Sequence, residues 1–298
     1  MQPLVYCTDI HYGAQPLCRK DNYNKAILAK LEFCLKLAKK HSAVLLIGGD
    51  LFDKPNQNYY DLILLIDLFQ RYKNVRVIVN RGNPSHDGFY ENSPLTLLQQ
   101  SNIVETSDNR THVDIGEIRI IFAPNSDDPM AKDQHISKHH QNYLMTHHLI
   151  VEKAAIYKHI LIEDFITDCD IVFCADYHPY QGLINHNGTI FVAPGSIARR
   201  KLTKDNIEKN PLCYLLTDTG IKGIEIPYEK DVWVEKTETE TIEETELDMG
   251  DFTNEMKTGE ESLTLESAWE TFAQKNHIEG EVYEYISKRI FGPAKSSR

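Results

Sequence analysis

The stretch Ala43–Asp53 reads AVLLIGGDLFD, and it carries the two features that decide the fold. Val44–Ile47 is a short apolar run, which is typical of a strand buried on both faces of a parallel sheet. Two glycines end the run, and Asp50 and Asp53 follow it. Because ligand sites in open α/β sheets lie beyond the carboxyl ends of the strands, this segment predicts an α/β fold with a polar site at the sheet edge.

The segments on either side repeat this rhythm. Leu4–Thr8 and Val75–Val79 are strand-like apolar runs, while Lys25–Lys40 and Tyr60–Tyr72 show the apolar spacing of helices. Alternating strands and helices predict a sheet with helices packed on its faces.

From about Thr111 the pattern becomes rich in strands. Short apolar runs recur, and Asn185–Gly188 and Asp218–Gly220 have the residues of hairpin turns. We expect a second sheet, formed largely by the C-terminal half of the body. Its predicted strands are Val113–Ile115, Ile118–Phe122, Asn142–Thr146, Ile171–Cys174, Leu183–Ile184, Ile190–Val192, Leu212–Leu216 and Gly223–Ile226.

Composition limits the class of protein. With 298 residues, 41% of them hydrophobic, the chain can bury a full core, so one large domain with an appendage is expected. The longest apolar runs are far too short to span a bilayer. Met1–Tyr6 lacks the basic and long apolar regions of a secretory signal, which favours a cytoplasmic location without membrane association. Six cysteines without CxxC spacing are interpreted as reduced thiols.

The formal charge of −12 is concentrated in one segment. Residues 237–261 hold ten acidic residues and one lysine, a net −9, which leaves −3 for the rest of the chain. We therefore expect a body over residues 1–236 and an acidic flexible linker over residues 237–261. Residues 262–298 show the apolar spacing of two short helices. Such a pair is too small to be stable alone and would dock either on the body or on a partner.

A series of Asp, Asn and His side chains follows the predicted strands. Each motif alone also has an interpretation that involves no metal. Asp-x-His is common, Gly-Asp often marks a turn or a helix N-cap, and strand-end histidines often bond to backbone. Their joint occurrence, in order and each after a strand, predicts a metal site at one sheet edge. The motifs are Asp9-Ile10-His11, Gly49-Asp50-Leu51-Phe52-Asp53, Gly82-Asn83 with His86-Asp87, Thr146-His147-His148 and Ala175-Asp176-Tyr177-His178.

This order of motifs resembles that of the calcineurin-like metallophosphoesterases, over about residues 1–230. GGDLFD, and APGSIARR at Ala193–Arg200, resemble the DNA-nuclease branch, the SbcD-type exonucleases that pair with an SbcC-type ATPase. The resemblance implies a four-layer α/β/β/α sandwich with a two-metal site at one edge, followed here by a small C-terminal helical appendage. It also implies DNA as substrate, an SMC-like ATPase partner bound through the C-terminal helices, and a homodimer.

Residue-by-residue matching to that family implies the ligands. Asp50 would bridge two ions and hold them about 3.5–4 Å apart, so that together they neutralise a phosphate and activate a water. One metal would take Asp9, His11, Asp50 and His178, and the other would take Asp50, Asn83, His147 and Asp176.

The same matching implies the catalytic roles. His86 would protonate the leaving group, oriented by Asp87 as in a carboxylate–histidine pair. Asp53 is interpreted as scaffolding of the loop. His148 stays open as an alternative to His147.

Two departures from the family pattern bear on the site. Pro84 and Ser85 interrupt the usual Gly-Asn-His-Asp, which lengthens the loop between Asn83 and His86. Asp176 stands where the family usually has histidine. A carboxylate in place of a nitrogen ligand favours manganese or magnesium over softer metals.

Basic residues recur beside the metal loops, and we expect four of them to contact the phosphate backbone: Arg19, Arg81, Arg199 and Arg200. Two other functions remain open. One is a phosphatase acting on small molecules or phosphoproteins, and the other is a scaffold of the same fold that has lost turnover.

Overall fold

The computed structural model describes residues 1–234, apart from residue 109, residues 131–134 and residues 156–157. The chain divides into two units, Met1–Glu235 and Lys236–Arg298. The predicted acidic linker and C-terminal helical pair lie outside the described residues. Among the described helices, none has both the length and the apolar character needed to cross a bilayer.

The elements of the described residues alternate as expected from the sequence. The helices are α1 (Tyr23–His41), α2 (Tyr59–Arg71), α3 (Pro84–Asp87), α4 (Pro94–Gln100) and α5 (Lys204–Glu208), with a 3₁₀ helix at Ile162–Asp164. The strands are β1 (Leu4–Cys7), β2 (Val44–Ile47), β3 (Val77–Val79), β4 (Glu105–Thr106), β5 (His112–Ile115), β6 (Ile118–Ala123), β7 (Gln141–Val151), β8 (Ile160–Leu161), β9 (Ile171–Ala175), β10 (Gly182–His186), β11 (Thr189–Ala193), β12 (Leu212–Thr217) and β13 (Gly220–Glu225).

Local chemistry sets the ends of the first helix. The Asn22 side chain accepts a hydrogen bond from the Lys25 amide, so α1 begins two residues before its predicted start. Ser42 adopts a left-handed conformation, and its amide bonds back to the carbonyls of Ala38 and Lys39.

The first sheet has the order β13-β12-β1-β2-β3-β4. Strands β1 to β4 run parallel, while β12 is antiparallel to β1, with Leu4 opposite Leu216. The prediction that Leu212–Leu216 and Gly223–Ile226 belong to the second sheet is therefore wrong. Apolar alternation identifies a strand but not its partner, and this terminal hairpin returns to the first strand of the chain.

The second sheet has the order β10-β11-β9-β7-β6-β5, with β8 paired to β7. Strand β7 is longer than predicted and continues to Val151, so His147 and His148 lie within it rather than after it. Met145 pairs with Phe173 and Leu149 pairs with Ala175, so β7 carries two extra residues at this point. The predicted strand ended at Thr146 because His147 and His148 interrupt the apolar run.

Three layers of apolar contact build the sandwich. Strands β1 and β2 direct Val5 and Leu45 at α1, and Tyr6 and Leu46 at the second sheet. The outer face of the second sheet is covered in part by the 3₁₀ helix and Phe165. The predicted fold class, two sheets flanked by helices, is confirmed. No disulfide forms within the described residues, and five of the six cysteines are buried.

Candidate metal centre

Backbone hydrogen bonds hold together the loops that follow β1 and β2. The amides of Ile10 and His11 donate to the carbonyl oxygen of Asp50 over 3.0 and 2.9 Å. Asp9, His11 and Asp50 have left-handed backbones, with φ of 51°, 49° and 48°, and Asp176 has a φ of 71°. Side-chain-bearing residues disfavour this region, so the surrounding contacts impose it, as is common at functional sites.

Two glycines allow close contacts at the site. A Cβ atom on Gly49 would overlap the imidazole of His147, and one on Gly82 would overlap the carboxylate and backbone of Asp50. Any larger residue at either position would force these groups apart.

Asp9, His11 and His178 form a first group of donors. The Nε2 atoms of His11 and His178 lie 3.1 Å apart, and His178 Nε2 lies 3.6 Å from Asp9 Oδ1. Two hydroxyls orient Asp9: Thr8 Oγ1 donates to its carboxylate and Ser196 Oγ to its carbonyl oxygen. Sequence reasoning missed both hydroxyls, although Ser196 lies in the Pro-Gly-Ser turn that it had singled out.

His147, Asp176 and Asn83 form a second group beside Asp50. His147 Nε2 lies 3.3 Å from Asp50 Oδ1 and 3.9 Å from Asp176 Oδ1. His147 Nδ1 donates to the carbonyl oxygen of Gly48 over 3.0 Å, which leaves Nε2 as the ring nitrogen that faces the carboxylates. The Asn83 amide nitrogen lies 3.0 Å from Asp176 Oδ1, and a half-turn of the amide would present its oxygen instead.

Asp50 lies between the two groups. Its Oδ1 faces His147, while its Oδ2 lies 3.9 Å from His11 Nε2. The Asn83 backbone amide donates to Oδ1 over 2.8 Å and fixes the carboxylate. The structure thus brings all the predicted ligands into one cluster around Asp50.

The cluster has the chemistry of a cation site. Asp9 Oδ1 and His11 Nδ1 are buried without a hydrogen-bond partner among the described residues, which is costly for such groups. Asp9, His11 and His178 offer ligand atoms within 4.8 Å of one another, and so do Asp9, Asp50 and His147. Mixed carboxylate oxygens and imidazole nitrogens suit divalent ions such as manganese, so the residues fit two divalent cations.

The electrostatics of the cluster favour positive charge. Burial raises the pKa of Asp9, but the His178 imidazole, 3.6 Å from Asp9 Oδ1, outweighs burial and lowers the pKa to about 2. Burial lowers the pKa of His147, but the Asp50 carboxylate outweighs it and raises the pKa to about 10. Bound cations would compete with this proton, so metal binding should release protons.

His86 lies at the edge of the cluster, where Pro84 and Ser85 form the first turn of α3. Its Nδ1 donates to the backbone carbonyl oxygen of Asp53 over 2.6 Å, and its Nε2 lies 3.7 Å from Asp50 Oδ2. The insertion that lengthens this loop therefore still leaves the imidazole directed at the centre.

Asp87 does not orient His86 as the resemblance implied. The Asp87 carboxylate instead accepts hydrogen bonds from the amides of Phe52 and Gly82, over 3.1 and 2.8 Å, and ties two loops together. Burial and the nearby Asp50 charge raise the pKa of Asp87 to about 6. The orienting role passes to the Asp53 carbonyl, a backbone group that the sequence does not reveal.

Of the four predicted phosphate-contacting arginines, the structure places one at the centre. The Arg200 guanidinium pairs with the Asp53 carboxylate and lies 3.4 Å from His11 Nε2. Arg81 is buried and pairs with Asp108. Arg199 is 1% exposed and donates to three backbone carbonyls, while Arg19 pairs with Asp21.

The structure also separates the adjacent histidines. Only His147 joins the cluster, because successive residues of a strand point to opposite faces. His148 Nδ1 instead lies 2.6 Å from Thr146 Oγ1.

The chain belongs to the calcineurin-like phosphoesterase family, whose model matches residues 3–278. It is therefore a metal-dependent hydrolase acting on phosphoester bonds, and members of this family bind two divalent metals. We found no curated protein similar in sequence to the chain.

Several solved structures are similar to the chain. A novel archaeal phosphodiesterase has a TM-score of 0.41 at 11% identity, over 75% of this chain and 99% of that one. Nuclease MPE of Pseudomonas putida has a TM-score of 0.37 at 15% identity, over 74% and 87%. Purple acid phosphatase PPD1 from yellow lupin seeds has a TM-score of 0.47 at 14% identity, over 79% and 52%.

Proposed function

We propose that this phosphoesterase is a nuclease that hydrolyses phosphodiester bonds in DNA, with manganese or magnesium ions at the centre described above. The observation that carries the proposal is the Asp50 carboxylate, which faces one donor group with each oxygen. Two cations held there would neutralise the phosphate and make a water nucleophilic at neutral pH.

The charge of the ligand set favours a diester over a monoester. Asp9, Asp50 and Asp176 together offset most of the charge of two divalent cations, and Arg200 is already paired with Asp53. The small excess of positive charge that remains matches a singly charged diester better than a doubly charged monoester. Asp176 determines this charge balance, because a neutral histidine at this position would leave the two-cation centre with one more net positive charge.

The residues of the chain divide the remaining tasks. His86 Nε2 points into the centre and is placed to protonate the departing alkoxide, while the Asp53 carbonyl holds the other ring nitrogen. Arg200 lies 19% exposed beside His11 and can donate to a nonbridging phosphate oxygen.

DNA as the substrate rests on the GGDLFD and APGSIARR motifs, which resemble those of SbcD-type nucleases. The test is degradation of end-labelled duplex and single-stranded DNA with manganese, magnesium or chelator. Metal-dependent cleavage supports the proposal. Hydrolysis of p-nitrophenyl phosphate without cleavage of DNA or bis(p-nitrophenyl) phosphate would show a phosphatase, and no hydrolysis of any substrate would show a scaffold.

The charge argument has its own test. Asp176→His should lower the ratio of diester to monoester hydrolysis about tenfold, with exposed Asp67→His as the control. An unchanged ratio would remove Asp176 from the explanation of specificity.

We further propose that residues 262–298 dock an SbcC-type ATPase. Their apolar spacing is typical of two short helices, and such a pair is too small to bury its own apolar side chains without a partner. In the full chain, Leu265→Asp with Trp269→Asp should abolish co-purification with such an ATPase, whereas Glu266→Ala should not. Equal recovery of all three proteins would reject this docking site. The homodimer implied by the same resemblance is tested by sedimentation of the chain alone.

A further inference from the structure

A second cavity lies on the other side of segment 196–200 from the metal centre. Its volume is about 330 Å³, and Lys30, Arg19, Arg199 and Tyr228 contribute to its wall. Lys30 Nζ donates to the Ile197 carbonyl oxygen over 2.6 Å, and Arg19 Nη1 donates to that of Arg199 over 2.7 Å. The volume falls at the lower end of the roughly 300–1,000 Å³ of small-molecule sites.

The cavity wall brings three basic side chains, Lys30, Arg199 and Arg19, together with one acidic residue, the exposed Glu229. Lys30 is 3% exposed and Arg199 is 1% exposed, yet among the described residues no carboxylate forms an ion pair with either. Arg19 alone has such a partner, Asp21, at 2.7 Å. A buried basic side chain is stabilised in its charged form by an anionic partner, so this group of side chains points to an anion that is shared between them.

The hydrogen-bond donors of the wall also exceed its acceptors. Lys30 uses one of its three N–H groups, and Arg199 bonds through each of its three nitrogens but only to uncharged carbonyl oxygens. The Trp233 indole, stacked against Arg19 and Arg199, has a buried Nε1 without a partner among the described residues. The remaining N–H groups of Lys30 and the Trp233 Nε1–H beside the cavity are donors that an acceptor-rich group could bond.

We propose that this cavity binds the phosphate group of a small anion, either inorganic phosphate or a nucleoside monophosphate. Phosphate offers several acceptor oxygens to guanidinium and ammonium donors from different directions. The Tyr228 ring, 4.7 Å from the Arg199 guanidinium, supplies an aromatic wall that a base could contact. This site is distinct from the metal centre, because the cations face the carbonyl side of segment 196–200 whereas Ser196 and Arg200 face Asp9 and Asp53.

The test is calorimetric titration of the full, chelator-treated chain with inorganic phosphate and, separately, with deoxyadenosine 5′-monophosphate. Chelation removes the metal centre as a competing phosphate site. Binding by the wild type that weakens at least about tenfold in Lys30→Met supports the proposal, since that variant keeps the length of the side chain and loses the charge. Lys25→Met, exposed on the same helix, is the matched control and should bind as the wild type does.

The outcomes separate the two sources of phosphate. Tighter binding of the nucleotide assigns the cavity to nucleoside monophosphates, and equal affinity assigns it to free phosphate. Absence of binding by the wild type, or equal binding by wild type and Lys30→Met, overturns the proposal. Cooperative unfolding of each variant by circular dichroism ensures that a loss of affinity is not a loss of fold.

Discussion

Segment 196–200 separates two regions of opposite character. On one side, Asp9, Asp50 and Asp53 gather buried negative charge with imidazoles around a cation centre. On the other side, Lys30 and Arg199 place buried positive charge against backbone carbonyls. Each region also contains a buried polar atom without a partner among the described residues, Asp9 Oδ1 on one side and Trp233 Nε1 on the other.

The adjacent residues Arg199 and Arg200 make the contrast sharp. Arg200 pairs with Asp53 at the metal centre, while Arg199 is enclosed on the opposite side by the carbonyls of Asn206, Ile207 and Glu229. Two identical side chains that are adjacent in the sequence thus lie in different regions.

The largest effect is expected from Asp50→Asn, which removes the carboxylate shared by both donor groups. We expect loss of bound metal and a fall of at least about 10⁴-fold in diester hydrolysis. Elemental analysis and assays with bis(p-nitrophenyl) phosphate measure both. Asp67→Asn, at an exposed position of α2, is the control, and a variant at Asp50 that keeps two metals would contradict the shared-carboxylate arrangement.

His86→Gln should separate chemistry from metal binding. The imidazole lies at the edge of the cluster, so the metal content should stay that of the wild type while kcat falls about 10²–10⁴-fold. The loss should be smaller for bis(2,4-dinitrophenyl) phosphate, whose leaving group needs no proton. Equal losses for good and poor leaving groups would remove His86 from the role of acid.

The two arginines should respond in different assays. Arg200→Met should raise KM for a diester about 10–100-fold, the value of a charged hydrogen bond. Arg199→Met should instead lower the free energy of unfolding by about 2–4 kcal/mol, because three buried carbonyl oxygens lose their donors. Arg71→Met, at an exposed position, controls both measurements. If Arg199→Met changed KM without lowering the free energy of unfolding, Arg199 would act in diester binding rather than in stability.

The smallest effect concerns the pH dependence of stability on the cationic side. Burial and the neighbouring guanidinium groups lower the pKa of Lys30 to about 7. Above that pH, and below the ordinary value of about 10.4, the unfolded chain binds a proton that the folded chain does not, so stability rises with pH. The free energy of unfolding of Lys30→Met minus that of the wild type should therefore be larger at about pH 7.5 than at about pH 9.5, by up to about 3 kcal/mol. Urea unfolding measures the difference, and a pH-independent difference would show that Lys30 titrates normally.

Much of this architecture can be predicted from the sequence, because buried parallel strands are continuous apolar runs. The prediction for Val44–Ile47 matches β2 in both bounds, and Asp50 and Asp9 fall beyond the carboxyl ends of their strands as expected. The ordered motifs therefore predicted which loops meet.

The rest depends on contacts that a linear pattern does not contain. The Asp53 carbonyl that holds His86 is a backbone atom, and its availability depends on how the loop after β2 turns. The sequence does not show which of Arg199 and Arg200 lies at the metal centre, and it does not show that β12 pairs with β1 rather than with the second sheet. These features follow from three-dimensional pairing of distant segments.

The irregularity in β7 constrains how this family member can change in length. The two additional residues between Met145 and Leu149 preserve the alternation of the strand, so Ile150 still faces the apolar layer that contains Leu144. Removing one residue would reverse the facing of every side chain beyond the deletion, whereas removing two would restore an unbroken ladder with β9 and change the segment that positions His147. Natural insertions and deletions at this point should therefore involve an even number of residues. A relative that lacks two residues here should keep its sheets but no longer hydrolyse phosphoesters.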